Sequence, residues 1–152
     1  MLNVRTPLQH THMDMTCFGC GPANPDGLHL HSYWSDNGRF VVAQFQPIEK
    51  YNAGLPNVMY GGLVASLIDC HSIWTAMAFT ARSEGRELDT GPKIIMVTGE
   101  LNVKYLAPTP LDQPVHLKAW IDGEIAKKTV VQCELGIQGK VTATRRVVAV
   151  RL

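Results

Sequence analysis

The sequence predicts an α+β domain in which a long central helix is wrapped by a five- or six-stranded antiparallel sheet. Two observations support this fold class. A single apolar segment has helical periodicity, beginning at Gly61 or Gly62 and ending near Arg82, and the segments around it alternate apolar and polar residues. Because the helical segment is apolar nearly all round, it needs covering, and each alternating strand offers one apolar face.

Length and composition indicate a single soluble domain and exclude several classes of partner. The 152 residues are 45% hydrophobic and 18% charged, with a net charge of +1 and scattered basic residues, which argues against nucleic acid or an anionic membrane surface as partner. Residues 1–15 show no secretory leader, so we expect a cytoplasmic protein with reduced cysteines. The apolar segment 58–81 includes Asp69 and His71, which would be costly in lipid, and we expect a buried helix.

The remaining elements follow from turn residues and alternation. Residues 1–27 are predicted to be an irregular capping segment, because Pro, Gly, Asn and Asp are frequent there, and residues 28–152 a single domain. A hairpin turn is predicted at 35–38, which contains Asn-Gly, and a loop at 47–59. The predicted strands are, in chain order, 28–34, 39–46, 93–106, 114–121, 127–137 and 141–150.

The strand at 93–106 is predicted to present two different faces, because its residues alternate. One face would hold Ile95, Val97, Leu101, Val103 and Tyr105, and the other Met96, Thr98, Glu100, Asn102 and Lys104. We expect the second face, which includes Thr98, to meet water, a ligand or a partner chain.

Asp69 is the strongest candidate for chemistry. The helix begins at Tyr60-Gly61-Gly62, where unpaired N–H groups and the helix dipole can hold a carbonyl oxygen that gains negative charge. Asp69 lies two turns further on, and its apolar surroundings should raise its pKa, as suits a general base or a nucleophile. The small residues Ser72 and Ala76 on the same face would leave room for an acyl group. The alternative is a structural Asp that contacts a partner subunit.

Two other groups of residues are weaker candidates. His71 lies about 200° round the helix from Asp69, so the two cannot form a dyad, and we expect a core histidine with its own hydrogen bond. Cys17-Phe-Gly-Cys20 could combine with His29 and His31 into a Cys2His2 metal site, or act as a redox pair. The histidine spacing does not suit a zinc finger and no βαβ unit is present, so a structural turn without metal or other cofactor is favoured.

Three segments together resemble the PaaI-like branch of the hotdog thioesterase superfamily, over roughly residues 17–150. The first is Cys17-Phe-Gly-Cys-Gly-Pro-Ala-Asn-Pro-Asp-Gly-Leu-His-Leu. The second is Tyr60-Gly-Gly-Leu-Val-Ala-Ser-Leu-Ile-Asp69-Cys-His, and the third is Leu101-Asn-Val-Lys-Tyr-Leu-Ala-Pro-Thr-Pro110. The resemblance implies a hotdog fold and hydrolysis of an acyl-CoA thioester to free acid and CoA.

The resemblance also implies roles for individual residues. Asp69 takes the place of the family's general base or nucleophile, and the backbone N–H of Gly61 that of the group polarising the thioester carbonyl. Thr98 matches a residue that orients the attacking water. Tyr60 stands where the family usually has His. The loop asparagine of some relatives aligns with Gly54, two residues from Asn52.

The remaining expectations concern binding and assembly. Tyr60, Gly62 and Asn52 are expected to contact the substrate. The family implies a homodimer, often within a homotetramer, in which Asp69 and Gly61 of opposite chains serve one substrate. The alternative function is a hotdog protein that binds CoA or an acyl ligand without hydrolysis, since Tyr60 replaces the usual His. A hotdog hydratase is a further alternative, but His71 is poorly aimed for it.

Overall fold

The computed structural model describes residues 5–152, so the first four residues of the predicted capping segment lie outside the described residues. In this range the chain forms one long helix, α1 (Gly61–Ser83), and two short 3-10 helices (Leu8–His12 and Glu49–Tyr51). The strands are β1 (Ser32–Trp34), β2 (Val41–Phe45), β3 (Met96–Tyr105), β4 (Val115–Ile121), β5 (Lys128–Ile137) and β6 (Lys140–Arg151).

The six strands form a single antiparallel sheet in the order β1-β2-β4-β5-β6-β3. The helix α1 packs against one face of this sheet, with contacts to β1, β3, β4, β5 and β6. The predicted α+β hotdog architecture of one central helix and a five- or six-stranded sheet is therefore confirmed, with six strands. Strands β1 and β3 lie at the two edges.

Burial of α1 explains why its sequence is so apolar. The helix is long and apolar enough to cross a membrane by length and composition, yet most of it is buried inside the domain. Leu67 and Ile68 are fully buried, and Trp74 and Met77 are 1% exposed. Opposite them, the inner face of β5 carries the fully buried Val131 and Leu135. The predicted helix is confirmed to within one residue at either end.

The first predicted strand is shorter than expected. Residues 28–31 lie outside the sheet, because the amide groups of Leu28 and Leu30 donate to the carbonyls of Phe18 and Gly19 instead. Between them, His29 has a φ of 53°, which a strand cannot contain. This segment therefore fastens the N-terminal region, and only Ser32–Trp34 joins the sheet.

The face assignment predicted for β3 is wrong because the strand contains a bulge. Its register against β6 shifts between Thr98 and Glu100, so Gly99 is an extra residue. Before the bulge, Met96 and Thr98 face α1. After it, the side chains that face α1 have odd numbers: Leu101, Val103 and Tyr105, which pair with Val147, Arg145 and Ala143 of the inner face. Thr98 therefore shares a face with Tyr105 and not with Glu100, Asn102 and Lys104.

The N-terminal segment is packed on the sheet and helix. Its 3-10 helix contacts β1 and α1, and it buries Leu8, Gln9 and His12. The Gln9 side chain accepts a hydrogen bond from the Ser32 amide (2.8 Å), which ties the segment to β1. These contacts place the segment against β1 and α1, and its capping role remains a prediction.

Leu67 tests how far the fold depends on burial of α1. We expect Leu67→Ala to lower the free energy of unfolding by about 2–5 kcal/mol, because it leaves a cavity at the centre of the core. Leu55→Ala, in a loop where the side chain is 61% exposed, is the matched control and should change stability by less than about 0.5 kcal/mol. Urea denaturation followed by circular dichroism measures both, and equal effects would contradict the packing described.

Candidate active site

Asp69 lies midway along α1, where the helix passes the edge strand β3. Its side chain is half-buried, and the Thr98 hydroxyl donates a hydrogen bond of 2.5 Å to Asp69 Oδ1. An O–H group that donates to a carboxylate over this distance forms a charge-assisted bond. The structure thus joins two residues that are 29 positions apart in the sequence and that the sequence had singled out separately.

The environment of Asp69 raises its pKa, as the apolar helix predicted. Burial is the main cause, since desolvation penalises the charged carboxylate, and the hydrogen bond from Thr98 opposes the shift. A carboxylate with a raised pKa binds a proton more readily, and this favours its use as a general base.

Gly61 is the first residue of α1, and its N–H donates no hydrogen bond within residues 5–152. The Tyr105 hydroxyl donates to the Gly61 carbonyl oxygen at 2.6 Å and so fixes this peptide against β3. A Cβ at residue 61 would lie 3.6 Å from the Tyr105 ring, which is ordinary contact. The free N–H at the helix start can therefore hold an oxygen that develops negative charge.

The Tyr60 ring lies across the second glycine of the helix start. A Cβ at Gly62 would stand 2.4 Å from this ring, so only glycine allows the arrangement. Tyr60 itself is 59% exposed, and its backbone is extended at the N-cap of α1. Tyr60 and Gly62 thus form one surface beside Gly61.

Asn52 uses its side chain within its own loop. Its Nδ2 donates to the Glu49 carbonyl (2.9 Å), and its Oδ1 accepts from the Gly54 amide (2.8 Å). Its backbone bridges to Met59, directly before the helix start. In this conformation Asn52 shapes the loop beside Tyr60, and its expected contact with substrate stays a prediction.

Ser72 and Ala76 do not provide the predicted space for an acyl group. Both are fully buried against the sheet, because α1 turns that part of its surface toward the core. The predicted space for an acyl group along this face of the helix is therefore wrong, because the face is half-buried at Asp69 but fully buried at positions 72 and 76.

His71 is a core histidine, as predicted. It is fully buried, its Nε2 donates to the Val41 carbonyl at 3.0 Å, and its Nδ1 accepts from the Ser32 hydroxyl at 2.8 Å. Burial lowers the pKa of His71 to about 4, so the ring is neutral at physiological pH. With both nitrogens occupied, it has no free group for catalysis.

Sequence reasoning missed two residues, one beside Gly61 and one beside Asp69. Tyr105 was placed on the face opposite Thr98, because alternation alone contains no sign of the bulge at Gly99. Cys70 was not associated with Cys17 and Cys20, although the structure brings the three sulfur atoms within 4.8 Å of one another. The predicted partners of the cysteines are elsewhere: His29 bonds to the Asn24 carbonyl, and His31 packs against another histidine ring, that of His10.

A large groove lies away from this site. It encloses about 920 Å³ on the outer face of the sheet, opposite α1. Tyr33, His116 and Lys118 are among its lining residues, and neither Asp69 nor Gly61 is. We place the candidate active site at α1 and β3 because the carboxylate, its hydrogen-bond donor and the free N–H lie there.

Comparisons with known proteins agree with this fold. Residues 56–144 match the family model described as the thioesterase superfamily, a range that contains Tyr60, Gly61, Gly62, Asp69 and Thr98. A thioesterase superfamily protein from Shewanella loihica PV-4 is 35% identical, with 86% of this chain and 97% of that chain covered and a TM-score of 0.63. A search of curated proteins found no match.

Two more distant structures share the fold. The BH2602 protein from Bacillus halodurans, whose structure was solved with CoA, is 22% identical, covers 82% of this chain and 75% of its own, and has a TM-score of 0.62. The E. coli PaaI protein, from the phenylacetic acid degradation operon, is 18% identical, with coverage of 74% and 72% and a TM-score of 0.60.

The hydrogen bond from Tyr105 to Gly61 can be tested by stability. We expect Tyr105→Phe to lower the free energy of unfolding by about 0.5–1.5 kcal/mol, because one hydrogen bond is lost and the ring is kept. Tyr60→Phe is the control, since the Tyr60 hydroxyl makes no hydrogen bond within the described residues. Urea denaturation compares the two, and an unchanged Tyr105→Phe stability would show that the bond does not hold the helix start.

Proposed function

This chain belongs to the thioesterase superfamily, and we propose that it hydrolyses an acyl-CoA thioester to the free acid and CoA. The observation that carries the proposal is the pair of groups that α1 presents. The half-buried Asp69 carboxylate accepts a hydrogen bond from the Thr98 hydroxyl, and the Gly61 N–H at the start of the same helix is free. The CoA-bound structure of the B. halodurans protein with the same fold supports CoA as the carrier of the acyl group.

Each step of the hydrolysis has a residue suited to it. Asp69 accepts a proton from a water whose oxygen attacks the thioester carbonyl carbon; in the alternative route the carboxylate attacks that carbon, and water then hydrolyses the acyl–Asp69 anhydride and supplies the proton. The Gly61 N–H stabilises the negative oxygen, the C–S bond breaks, and the CoA thiolate takes up the proton. Because Thr98 donates its own proton to Asp69, its oxygen remains free to accept a hydrogen bond from the attacking water.

Asp69 and Gly61 of a single chain are too far apart for this reaction. They are eight residues apart on one helix, a rise of about 12 Å. A base must lie within one water of the reacting carbon, and an oxyanion donor about 3 Å from the oxygen. We therefore propose that each site combines Asp69 of one chain with Gly61 of the partner subunit.

The edge strand β3 offers the surface for such pairing. It is ten residues long, pairs only with β6 among the described strands, and exposes Val97 (43%), Leu101 (37%) and Tyr105 (52%). An exposed apolar edge of this length is a template for pairing with another strand. A second copy would extend the sheet across a two-fold axis.

The register of this pairing follows from the position of the site. If the two-fold axis passes through Asn102, antiparallel pairing with Gly99 as the extra residue places Thr98 opposite Tyr105 of the partner subunit. Thr98 contacts Asp69, and Tyr105 contacts Gly61. The axis therefore brings the carboxylate of one chain beside the helix start of the other, on both sides of the dimer.

The exposed groups around the helix start are proposed to contact the substrate. Tyr60 presents its ring beside Gly61, Gly62 leaves room for that ring, and the Asn52 loop lies next to them through its bridge to Met59. Because a phenol takes the place of the usual His, we propose that Tyr60 contacts the thioester end of the substrate through its ring and hydroxyl.

Asp69→Asn tests the proposed chemistry directly. A panel of aliphatic and aromatic acyl-CoAs, with a thiol-detecting reagent, should reveal hydrolysis by the wild type. The variant should lose at least about 10²-fold in kcat on the best substrate, since the amide cannot accept the proton. Asp89→Asn, an exposed carboxylate in the loop after α1, is the control. Binding of CoA without hydrolysis of any member of the panel would favour the non-catalytic alternative.

Gly61→Pro tests the oxyanion donor. Proline removes the N–H, suits the first position of a helix, and follows Tyr60, whose ψ of 125° it accepts. We expect a loss of about 10²–10³-fold in kcat with the circular dichroism spectrum unchanged.

The same variant tests whether each site is shared between two chains. Coexpressed with Asp69→Asn at equal levels, Gly61→Pro should restore about a quarter of wild-type activity, because half the dimers are mixed and each mixed dimer has one intact site. No restoration would place both groups in one chain.

A further inference from the structure

Three cysteine sulfur atoms meet beside the candidate active site. Cys17 and Cys20 belong to the N-terminal segment, and Cys70 belongs to α1, directly after Asp69. Their Sγ atoms all lie within 4.8 Å of one another, and all three thiols are free. Nothing in the proposed hydrolysis uses them. We propose that they bind one zinc ion, which fastens the N-terminal segment to the helix turn that carries Asp69.

The spacing of the sulfur atoms matches tetrahedral zinc. The Cys17 and Cys70 Sγ atoms are 3.7 Å apart. A Zn–S bond is about 2.3 Å, so the edge of a tetrahedron of sulfur ligands measures about 3.8 Å. The ion can therefore enter with little movement of these two side chains.

The turn that carries Cys17 and Cys20 packs closely against Cys70. A Cβ at Gly19 would stand 2.4 Å from the Cys70 Sγ atom, so any other residue would displace this sulfur atom or push the turn away from the helix. A Cβ at Gly21 would stand 2.4 Å from the Cys17 backbone nitrogen and 2.6 Å from the Met15 carbonyl. The glycines at positions 19 and 21 thus hold the two thiols of the turn against the third.

A hydrogen-bond donor reaches one of the three sulfur atoms, as is common around thiolate ligands. Trp74 Nε1 donates a hydrogen bond to Cys20 Sγ at 3.1 Å. Three adjacent thiolates repel one another, and a divalent cation removes that repulsion.

The three sulfur ligands determine which metal ions the site prefers. Thiolate ligands favour zinc and other soft or borderline ions over magnesium and calcium. The residues described supply three ligands, and Cys17 is exposed, so the fourth position is open to a water molecule. His29 and His31, the ligands suggested by the sequence, are turned to other partners.

The consequence is structural. Without the metal, the N-terminal turn is held to its neighbours by backbone bonds such as Leu28 N to Phe18 O (2.7 Å) and Leu30 N to Gly19 O (3.0 Å). A bound ion adds a direct link from Cys17 and Cys20 to Cys70 on α1. Metal binding of this kind stabilises the folded chain, because the unfolded chain has no preformed site.

Elemental analysis of the full chain, purified under reducing conditions, tests the site. We expect about one zinc per chain in the wild type and in Cys133→Ala, the matched control, whose thiol lies in the core of the sheet away from the cluster. Cys17→Ser and Cys70→Ser should each reduce the zinc content at least tenfold. Gly19→Ala keeps all three thiols but displaces the turn or the Cys70 sulfur atom, and should also release the metal.

Cobalt exchange gives a second measurement that does not depend on variants folding. Co²⁺ in the wild-type chain should produce a thiolate-to-cobalt charge-transfer band and the visible bands of a tetrahedral ion, saturating at about one equivalent. Three outcomes would overturn the proposal: zinc far below one per chain together with no cobalt spectrum, a disulfide among the three cysteines that persists as the state of the purified chain, or equal metal loss in Cys133→Ala.

Discussion

The requirement to bury α1 governs the rest of this structure. Because the helix is apolar on nearly every side, the six-stranded sheet must cover it. Residues such as Leu67 and Trp74 are buried as a result. The cover is incomplete where the helix passes the edge strand β3, and Asp69 there is half-buried. Asp69 stands at that margin, close enough to the core for its pKa to rise and still within reach of Thr98. A carboxylate deeper in the helix would have lost access to substrate, and one at either end would have lost the desolvation.

The bulge at Gly99 couples the fold to the site. Without the extra residue, Thr98 and Tyr105 would face opposite sides of β3, because seven positions is an odd number in a strand of period two. With it, both side chains reach α1, one at Asp69 and the other at Gly61. The same strand edge then offers the surface on which we propose that a second copy completes the site.

The N-terminal segment also connects the fold to the candidate site, through the helix turn that carries Asp69. Its backbone bonds to residues 28–30 and its buried Gln9 connect it to β1, and its cysteines reach Cys70 beside Asp69. The proposed zinc ion would keep the N-terminal segment attached to α1 when hydrogen bonds of the turn open locally. The helix turn that carries Asp69 is thus held by β3 on one side and by the N-terminal segment on the other.

Much of the fold and part of the site were determined by sequence alone. Periodicity located α1 and the strands, because burial of one helix and one face of each strand leaves a regular pattern, and the helix start and Asp69 were visible as residue types in an unusual setting. Tertiary structure alone decided the facing of Thr98 and Tyr105, the left-handed His29 that ends the first strand early, and the meeting of Cys17, Cys20 and Cys70. Those depend on a bulge and on contacts between residues as many as 53 positions apart, and local alternation contains no information about either. The physical reason is that periodicity in the sequence depends only on which residues are buried. Which residues they pack against depends on strand register and on long-range contacts, and these form only in the folded chain.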